Sequence, residues 1–204
     1  MNTKNLKEKT TTRKIVGIDY SLTSPAVCVT ENFEDSNTWY YYLTNKKKYI
    51  GPMRKNILGI EHEEYNDPIQ RFTQISDFVF KVLSKHLCPS IGDRIFEKVY
   101  IEGYSFGSKG QGIFQIAENC GILKYRLQEQ SIPYETVVPS VVKKGATGKG
   151  NADKELMYGA FEKEQINLRK VFDTEKITNP VSDIVDSFYI AKVGYENSIS
   201  HNTK

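Results

Sequence analysis

Residues 15–29, IVGIDYSLTSPAVCV, hold two apolar runs separated by a short polar turn, and the first run ends in a carboxylate, Asp19. This pattern predicts two strands joined by a turn. It also constrains the fold: a strand this apolar is covered on both faces, and a charge at its end needs a partner. NTWYYYLTN supplies a third strand, with NKKK as a polar hinge after it.

Residues 51–66 show no clear period and read as an irregular connection. Asp67 before Pro68 signals a helix start, and Ile69, Phe72, Ile75, Val79, Val82 and Leu83 recur at helical spacing as far as KHLCPS. EKVYIEGYSF reads as a strand, GIFQIAENCGILKYRLQEQ as a helix and PYETVVP as a short strand. A Lys and Gly loop, KKGATGKGNADK, then leads into a helix from near Ala152, and NPVSDIVDSFYIAKVGY forms the last element. The order predicts an α/β fold with a five-stranded mixed sheet flanked by helices. A single domain over 14–196 is expected between a mobile basic tail at 1–13 and a polar tail at 197–204.

Charge placement matters more than net charge, because 28 Lys and Arg against 25 Asp and Glu leave only +3. Cys28, Cys88 and Cys120 are odd in number, far apart and set in apolar stretches, which suits packed thiols better than disulfides or zinc. No stretch approaches the roughly 18 apolar residues of a membrane span, and residues 1–14 lack the apolar core of a secretory signal. A cytoplasmic protein with no membrane partner is expected.

The acidic residues fall at telling points. Asp19 ends the first strand, and Glu102 lies in the apolar run VYIEGYSF, at the corresponding point of a later strand. Asn179 as cap and Pro180 at the first helical position put Asp183 and Asp186, three residues apart, on one side of the first two turns of the last helix. A solvated face, or stabilisation by the helix dipole, is the plain alternative for that pair. Against it, Val181, Ile184, Val185 and Phe188 form the opposite stripe while Ile190 and Val193 continue the aspartate side. A helix apolar on most sides is buried, so its aspartates need a counter-charge.

Lysines are one counter-charge for four converging carboxylates. A pair of hard divalent cations is a better fit, since Mg²⁺ takes oxygen ligands and keeps waters for a substrate phosphate. His62, His86 and His201 show no zinc-ligand spacing and read as surface or packed histidines. Two metals bridged by an aspartate activate a water and stabilise the leaving oxygen of a phosphodiester. The chemistry indicated is that of a nuclease.

IVGIDYSL, VYIEGYSF, VPSVVKKGATGKGNADKELM and NPVSDIVDSFYIAK resemble, in order, the motifs of RuvC-like Holliday junction resolvases of the ribonuclease H-like superfamily. The resemblance spans nearly the whole chain. It implies Asp19, Glu102, Asp183 and Asp186 as a metal-binding tetrad, with two Mg²⁺ per site and Mn²⁺ able to substitute. It implies a homodimer that makes paired nicks in four-way or other branched DNA. Lys143 and Lys154 stand where the family's basic residues support DNA binding and catalysis, with Lys154 stabilising charge on the scissile phosphate.

Further contacts are expected from Lys144 and Lys149, and from Lys46, Lys47, Lys48 and Arg54 in a basic segment, 38–66, that looks longer than the bacterial pattern. Where bacterial members carry an aromatic thought to enter the junction, Ser105 takes the spacing, and Tyr104 or Phe106 beside it could substitute. Both aromatics could equally belong to the core, and the Lys and Gly loop and the basic segment could be plain solvated connections.

Two rivals come from other classes. An actin-like ATPase shares the first hairpin, GIDYSLTS, but needs two such subdomains, for which 204 residues are too few. A non-catalytic branched-DNA-binding relative is expected to have lost carboxylates, and none is missing. Proofreading exonucleases carry Asp-x-Glu on the first strand, where this chain has Ser21. A general ribonuclease H normally takes its second carboxylate from the first helix. The abundance of Lys, Asn and Ile points to an AT-rich genome; for a viral member the location is the host cytoplasm.

Overall fold

A computed structural model describes residues 13–86, 96–104 and 112–202 of the chain. The first hairpin pairs β1 (Lys14–Asp19) with β2 (Ala26–Thr30) antiparallel, and β3 (Thr38–Thr44) continues the meander on the far side of β2. β4 (Gly51–Arg54) and β5 (Ile57–Glu61) form a further hairpin, with β5 parallel to β3. After α1 (Pro68–His86), β6 (Phe96–Glu102) enters parallel to β1, and after α2 (Gly112–Glu129), β7 (Tyr134–Val137) pairs parallel to β6. Four helices close the chain: α3 (Pro139–Thr147), α4 (Lys154–Glu164), α5 (Leu168–Phe172) and α6 (Val181–Asn202).

The result is a mixed α/β sheet flanked by helices, as expected, but with seven strands among the described residues, in the order β4-β5-β3-β2-β1-β6-β7, rather than five. The two extra strands come from the segment read as irregular. Pro52 and Gly59 obscured them. Proline is tolerated in β4 because β4 is the sheet edge. Gly59 is required because a Cβ there would stand 1.9 Å from the Tyr49 carbonyl.

The sheet separates two cores. One packs α1 and α2 against Val16, Ile18, Val27, Val29, Tyr41 and Ile101, and the other packs α3 to α6 against Ile15, Cys28, Tyr40, Tyr42 and Tyr100. Alternation along each strand explains the division, since successive side chains leave opposite faces. α6 is the central buried helix and lies close on β1. A Cβ at Gly17 would fall 2.1 Å from the Ser187 carbonyl, so only glycine permits the approach. Phe188 anchors this layer, meeting Phe161 edge-on at 5.3 Å between ring centres, a contact worth about 0.5–1.5 kcal/mol beyond its buried area.

Other boundaries shift from the sequence reading. The first part of the expected Lys and Gly loop, 143–147, is instead the end of α3, which has proline in its first turn and ends where Gly148 N–H bonds the Lys144 carbonyl at 2.8 Å. α5 was not foreseen. α6 begins at Val181, and the Asn179 side-chain oxygen lies 3.4 Å from the Ser182 hydroxyl rather than capping a backbone N–H. It runs on to Asn202, so most of the expected polar tail is helix. Residues 1–12 of the expected basic tail at 1–13, Cys88 and Phe106 lie outside the described residues. Cys28 and Cys120 are buried and free, and His62 and His86 are packed.

Candidate active site

Strand parity assembles the site. On β1, Ile15 and Gly17 face α6, so Asp19, two residues on, does too. On β6, Tyr100 faces α6 while Val99 and Ile101 face α1 and α2, which turns Glu102 to the same side as Asp19. The register Gly17↔Tyr100 and Ile18↔Ile101 makes Asp19 and Glu102 the next residues of two adjacent parallel strands. Over them lies the start of α6, carrying Asp183 and Asp186 one turn before the Ser187–Ala191 segment that presses on Gly17.

A cleft of about 530 Å³ opens here, lined by Asp19, Glu102, Asp186, Lys143, Tyr104 and the turn between β1 and β2. Asp183 is buried. All four carboxyls are held above the ordinary carboxylate range. Burial raises Asp19 most, with repulsion from Asp183, Glu102 and Asp186 added and Lys154 opposing. Burial and then Glu102 and Asp183 push Asp186 up to about 7 against the pull of Lys154 and Lys143. Glu102 is raised by burial, opposed by Lys143 and reinforced by Asp183. Asp183 is raised by burial and drawn back by nearby hydroxyls, Lys154 and Lys46.

The basic side is built as deliberately. Asp153 caps α4 by accepting from Leu156 N–H at 2.9 Å, which fixes Lys154 as the first helical residue. Its ammonium donates to the Ser182 hydroxyl at 3.3 Å, and that hydroxyl donates to Asp183 Oδ1 at 3.0 Å. Asp183 Oδ2 is buried with no hydrogen-bond partner. The Ser24 hydroxyl is near, but gives its one proton to the Leu43 carbonyl at 3.2 Å.

Two solved structures share this architecture over nearly their whole length. Thermus thermophilus RuvC is 16% identical, with a TM-score of 0.54 over 91% of this chain and 96% of that one. T. thermophilus RuvC in complex with Holliday junction substrate is 16% identical, with a TM-score of 0.58 over 92% and 96%. The fold is that of RuvC. It is the ribonuclease H-like fold that the motif order implied. No protein-family model matches the chain, and no curated protein matches it in sequence.

Against the RuvC fold the donor chemistry can be tested for a metal. The tetrad offers only carboxylate oxygen, the donor of hard divalent ions, and an orphaned buried oxygen on Asp183 is what such an ion would satisfy. Among the described residues, no three His, Cys, Asp or Glu side chains already stand in the arrangement of a metal site. The tetrad therefore fits a divalent ion in chemistry, and its side chains have to draw closer to hold one.

The expected nucleic-acid contacts divide. Lys143 lines the cleft, and Lys144 and Lys149 are exposed on α3 and the turn after it. Lys46, Lys47 and Lys48 are exposed in the turn after β3, but Tyr40, Tyr41 and Tyr42 just before them are core. Arg54 is engaged by Asp35, its Nη1 lying 2.8 Å from each carboxylate oxygen. Tyr104 is 41% exposed at the cleft, with the Lys124 ammonium 5.2 Å from its ring centre. The sequence reading missed Ser182 and the cleft wall of Ile113 and Ile116, beside which Phe114 is 69% exposed. Ser182 sits next to Asp183 and was legible as a neighbour, whereas α2's contribution to the cleft is tertiary.

Proposed function

We propose that this chain is a Holliday junction resolvase, an endonuclease that makes paired nicks in four-way DNA by hydrolysing phosphodiester bonds. The observation that carries the reading is the meeting of Asp19, Glu102, Asp183 and Asp186, from two strands and a helix, beside Lys143 and Lys154 on the RuvC fold. Support comes also from the fold's neighbour, RuvC, solved in complex with Holliday junction substrate.

Two Mg²⁺ ions, with Mn²⁺ able to replace them, would be held by Asp19, Glu102 and the Asp183 and Asp186 pair, and would supply an activated water and charge neutralisation at the leaving oxygen. The protein's own part is positioning and charge. Burial keeps the carboxylates poorly solvated, so they favour bound cations strongly. Lys154, already tethered to Asp183 through Ser182, lies where it can neutralise charge on the scissile phosphate. Lys143 at the cleft wall, with Lys144 and Lys149 beyond it, contacts neighbouring phosphates. Tyr104 offers an exposed aromatic edge to bases at the crossover. A homodimer would present two such sites to opposed strands and leave 5′-phosphate ends.

The test is cleavage of a labelled synthetic four-way junction, with and without Mg²⁺, by the wild type and by Asp19→Asn and Asp183→Asn. Paired nicks near the crossover that need the metal and vanish in both variants, while binding persists, support the reading. Binding without cleavage in any divalent metal overturns it in favour of a branched-DNA-binding protein.

A further inference from the structure

The three strands β1, β3 and β6 run parallel to one another through the sheet, so all three end on the same rim. β1 and β6 deliver Asp19 and Glu102 there. The third, β3, ends at Thr44, and the next-but-one residue is Lys46. Its backbone is fixed on both sides: Lys46 N–H donates to Thr44 Oγ1 at 3.1 Å, and its carbonyl accepts from Tyr49 N–H at 2.8 Å. Its ammonium reaches 2.6 Å from the Asn179 carbonyl, just ahead of α6, and lies 5.8 Å from the Tyr49 ring centre.

Lys46 is solvent-exposed, and a single exposed hydrogen bond to a carbonyl contributes little to stability. An ammonium has three donors, and the carbonyl takes one. Lys143 and Lys154 come from α3 and α4, whereas Lys46 comes from the strand end on the other flank of β1. A phosphodiester brought against four carboxylates needs positive charge on both flanks, and in the turn after β3 Lys46 is the lysine whose ammonium reaches the approach to α6.

We infer that Lys46 is a substrate-contacting residue of the cleft, binding a backbone phosphate within two nucleotides of the cut on the Asp183 side through the ammonium that rests on Asn179 when no DNA is bound. The inference rests on the nuclease reading and deepens it. It separates Lys46 from a general basic patch and makes the turn after β3 a wall of the catalytic cleft.

The test compares the wild type with Lys46→Gln, Lys46→Arg and Lys55→Gln. Lys55 is the control because its turn, between β4 and β5, lies at the opposite end of the sheet. Single-turnover cleavage of a four-way junction is measured with protein in saturating excess, alongside thermal unfolding. A set of junctions is used, each carrying one uncharged methylphosphonate within two nucleotides of the cut. The expected result is a cleavage rate reduced at least tenfold in Lys46→Gln, largely restored in Lys46→Arg, unchanged in Lys55→Gln, and no change in unfolding temperature. On one methylphosphonate junction the wild type should slow to the rate of Lys46→Gln, and the variant should lose nothing further. A wild type that cuts normally beside a Lys46→Gln that cuts equally fast overturns the role of Lys46 alone. A slow Lys46→Gln whose defect persists on every methylphosphonate junction also overturns it, assigning Lys46 to support of α6. A wild type that cuts no junction removes the nuclease reading and this inference together.

Discussion

Asp19 and Glu102 stand at the same step of two adjacent parallel strands, each one residue past the paired Ile18 and Ile101, and both turn toward the start of α6. Neighbouring parallel strands lie about 4.8 Å apart, so the pairing brings two carboxylates together before any helix contributes. Asp183 and Asp186 then arrive from above, and the four carboxyls are raised first by burial and, for Asp19, Glu102 and Asp186, by repulsion from their neighbours that the nearby lysines do not offset.

The first prediction follows from that imbalance. Asp19 is buried and held well above its ordinary range, so the folded state prefers its protonated form. A group raised in this way favours folding at low pH, and the benefit is lost as pH rises from the unfolded value near 3.8 through the folded one. Asp19→Asn should therefore stabilise the metal-free protein at neutral pH by about 1–3 kcal/mol, several degrees in Tm, with the gain vanishing near pH 3. Thermal unfolding in chelator across that pH range measures it. The same variant should cleave no junction, and a variant no more stable than wild type at neutral pH would contradict the account of the cluster.

A second prediction concerns metal. Divalent ions that bind the folded chain alone stabilise it by mass action, about 2.7 kcal/mol at a hundredfold excess over Kd. Millimolar Mg²⁺ or Mn²⁺ should raise the Tm of the wild type near pH 8 and leave that of an Asp19→Asn, Asp183→Asn double variant unmoved. Na⁺ at matched ionic strength separates site binding from screening. Equal shifts in both proteins would disprove a metal site at the tetrad.

The close seat of α6 on β1 gives a third. At Gly17 a methyl group would meet backbone on two sides, Ser187 O at 2.1 Å and Ala191 N at 2.4 Å, and neither can move without shifting the helix. Gly17→Ala should cost about 3 kcal/mol or more, at the upper end of overpacking penalties. It should also lower cleavage beyond what instability explains, because the displaced helix carries Asp183 and Asp186. The urea midpoint and the cleavage rate of the residual folded protein test the two parts separately.

Much of this site was legible because its residues obey local rules. Asp19 and Glu102 stand out as charges closing apolar strands, and Asp183 and Asp186 as an i, i+3 pair on a helix too apolar to be solvated. Their convergence is a consequence of parity and register, which the alternation of Ile15, Gly17 and Asp19 already encodes. The β4–β5 hairpin was hidden because Pro52 and Gly59 are poor strand residues, tolerated there by an edge position and a close approach to Tyr49. The three tyrosines at 40–42 look like a nucleic-acid surface beside NKKK, yet they are core, since both faces of β3 are covered. No local pattern announces that Lys46 meets Asn179, 133 residues away.

His86 supplies the last prediction, on the face of the sheet away from the cleft. Its ring is buried against Trp39 and Tyr41, with Tyr41 Oη 2.9 Å from Nε2 and Lys14 Nζ 3.5 Å from Nδ1. Burial, followed by the charges of Lys14 and Lys85, lowers it from 6.5 to about 4. The folded state thus resists protonation that the unfolded chain accepts, so its contribution is complete above pH 6.5 and is lost as pH falls toward 4. The tetrad titrates with the opposite sign over an overlapping range, which makes the difference between proteins the informative quantity. His86→Gln should lower stability at pH 7.5 by about 1–2 kcal/mol through lost packing, as ordinary core changes do. It should close that gap progressively between pH 6.5 and 4.5, because glutamine takes no proton in either state. Urea unfolding of both proteins at half-unit pH steps decides the matter: a gap that stays constant to pH 4.5 would mean that the ring is protonated in the folded chain and bonds Tyr41 as a cation.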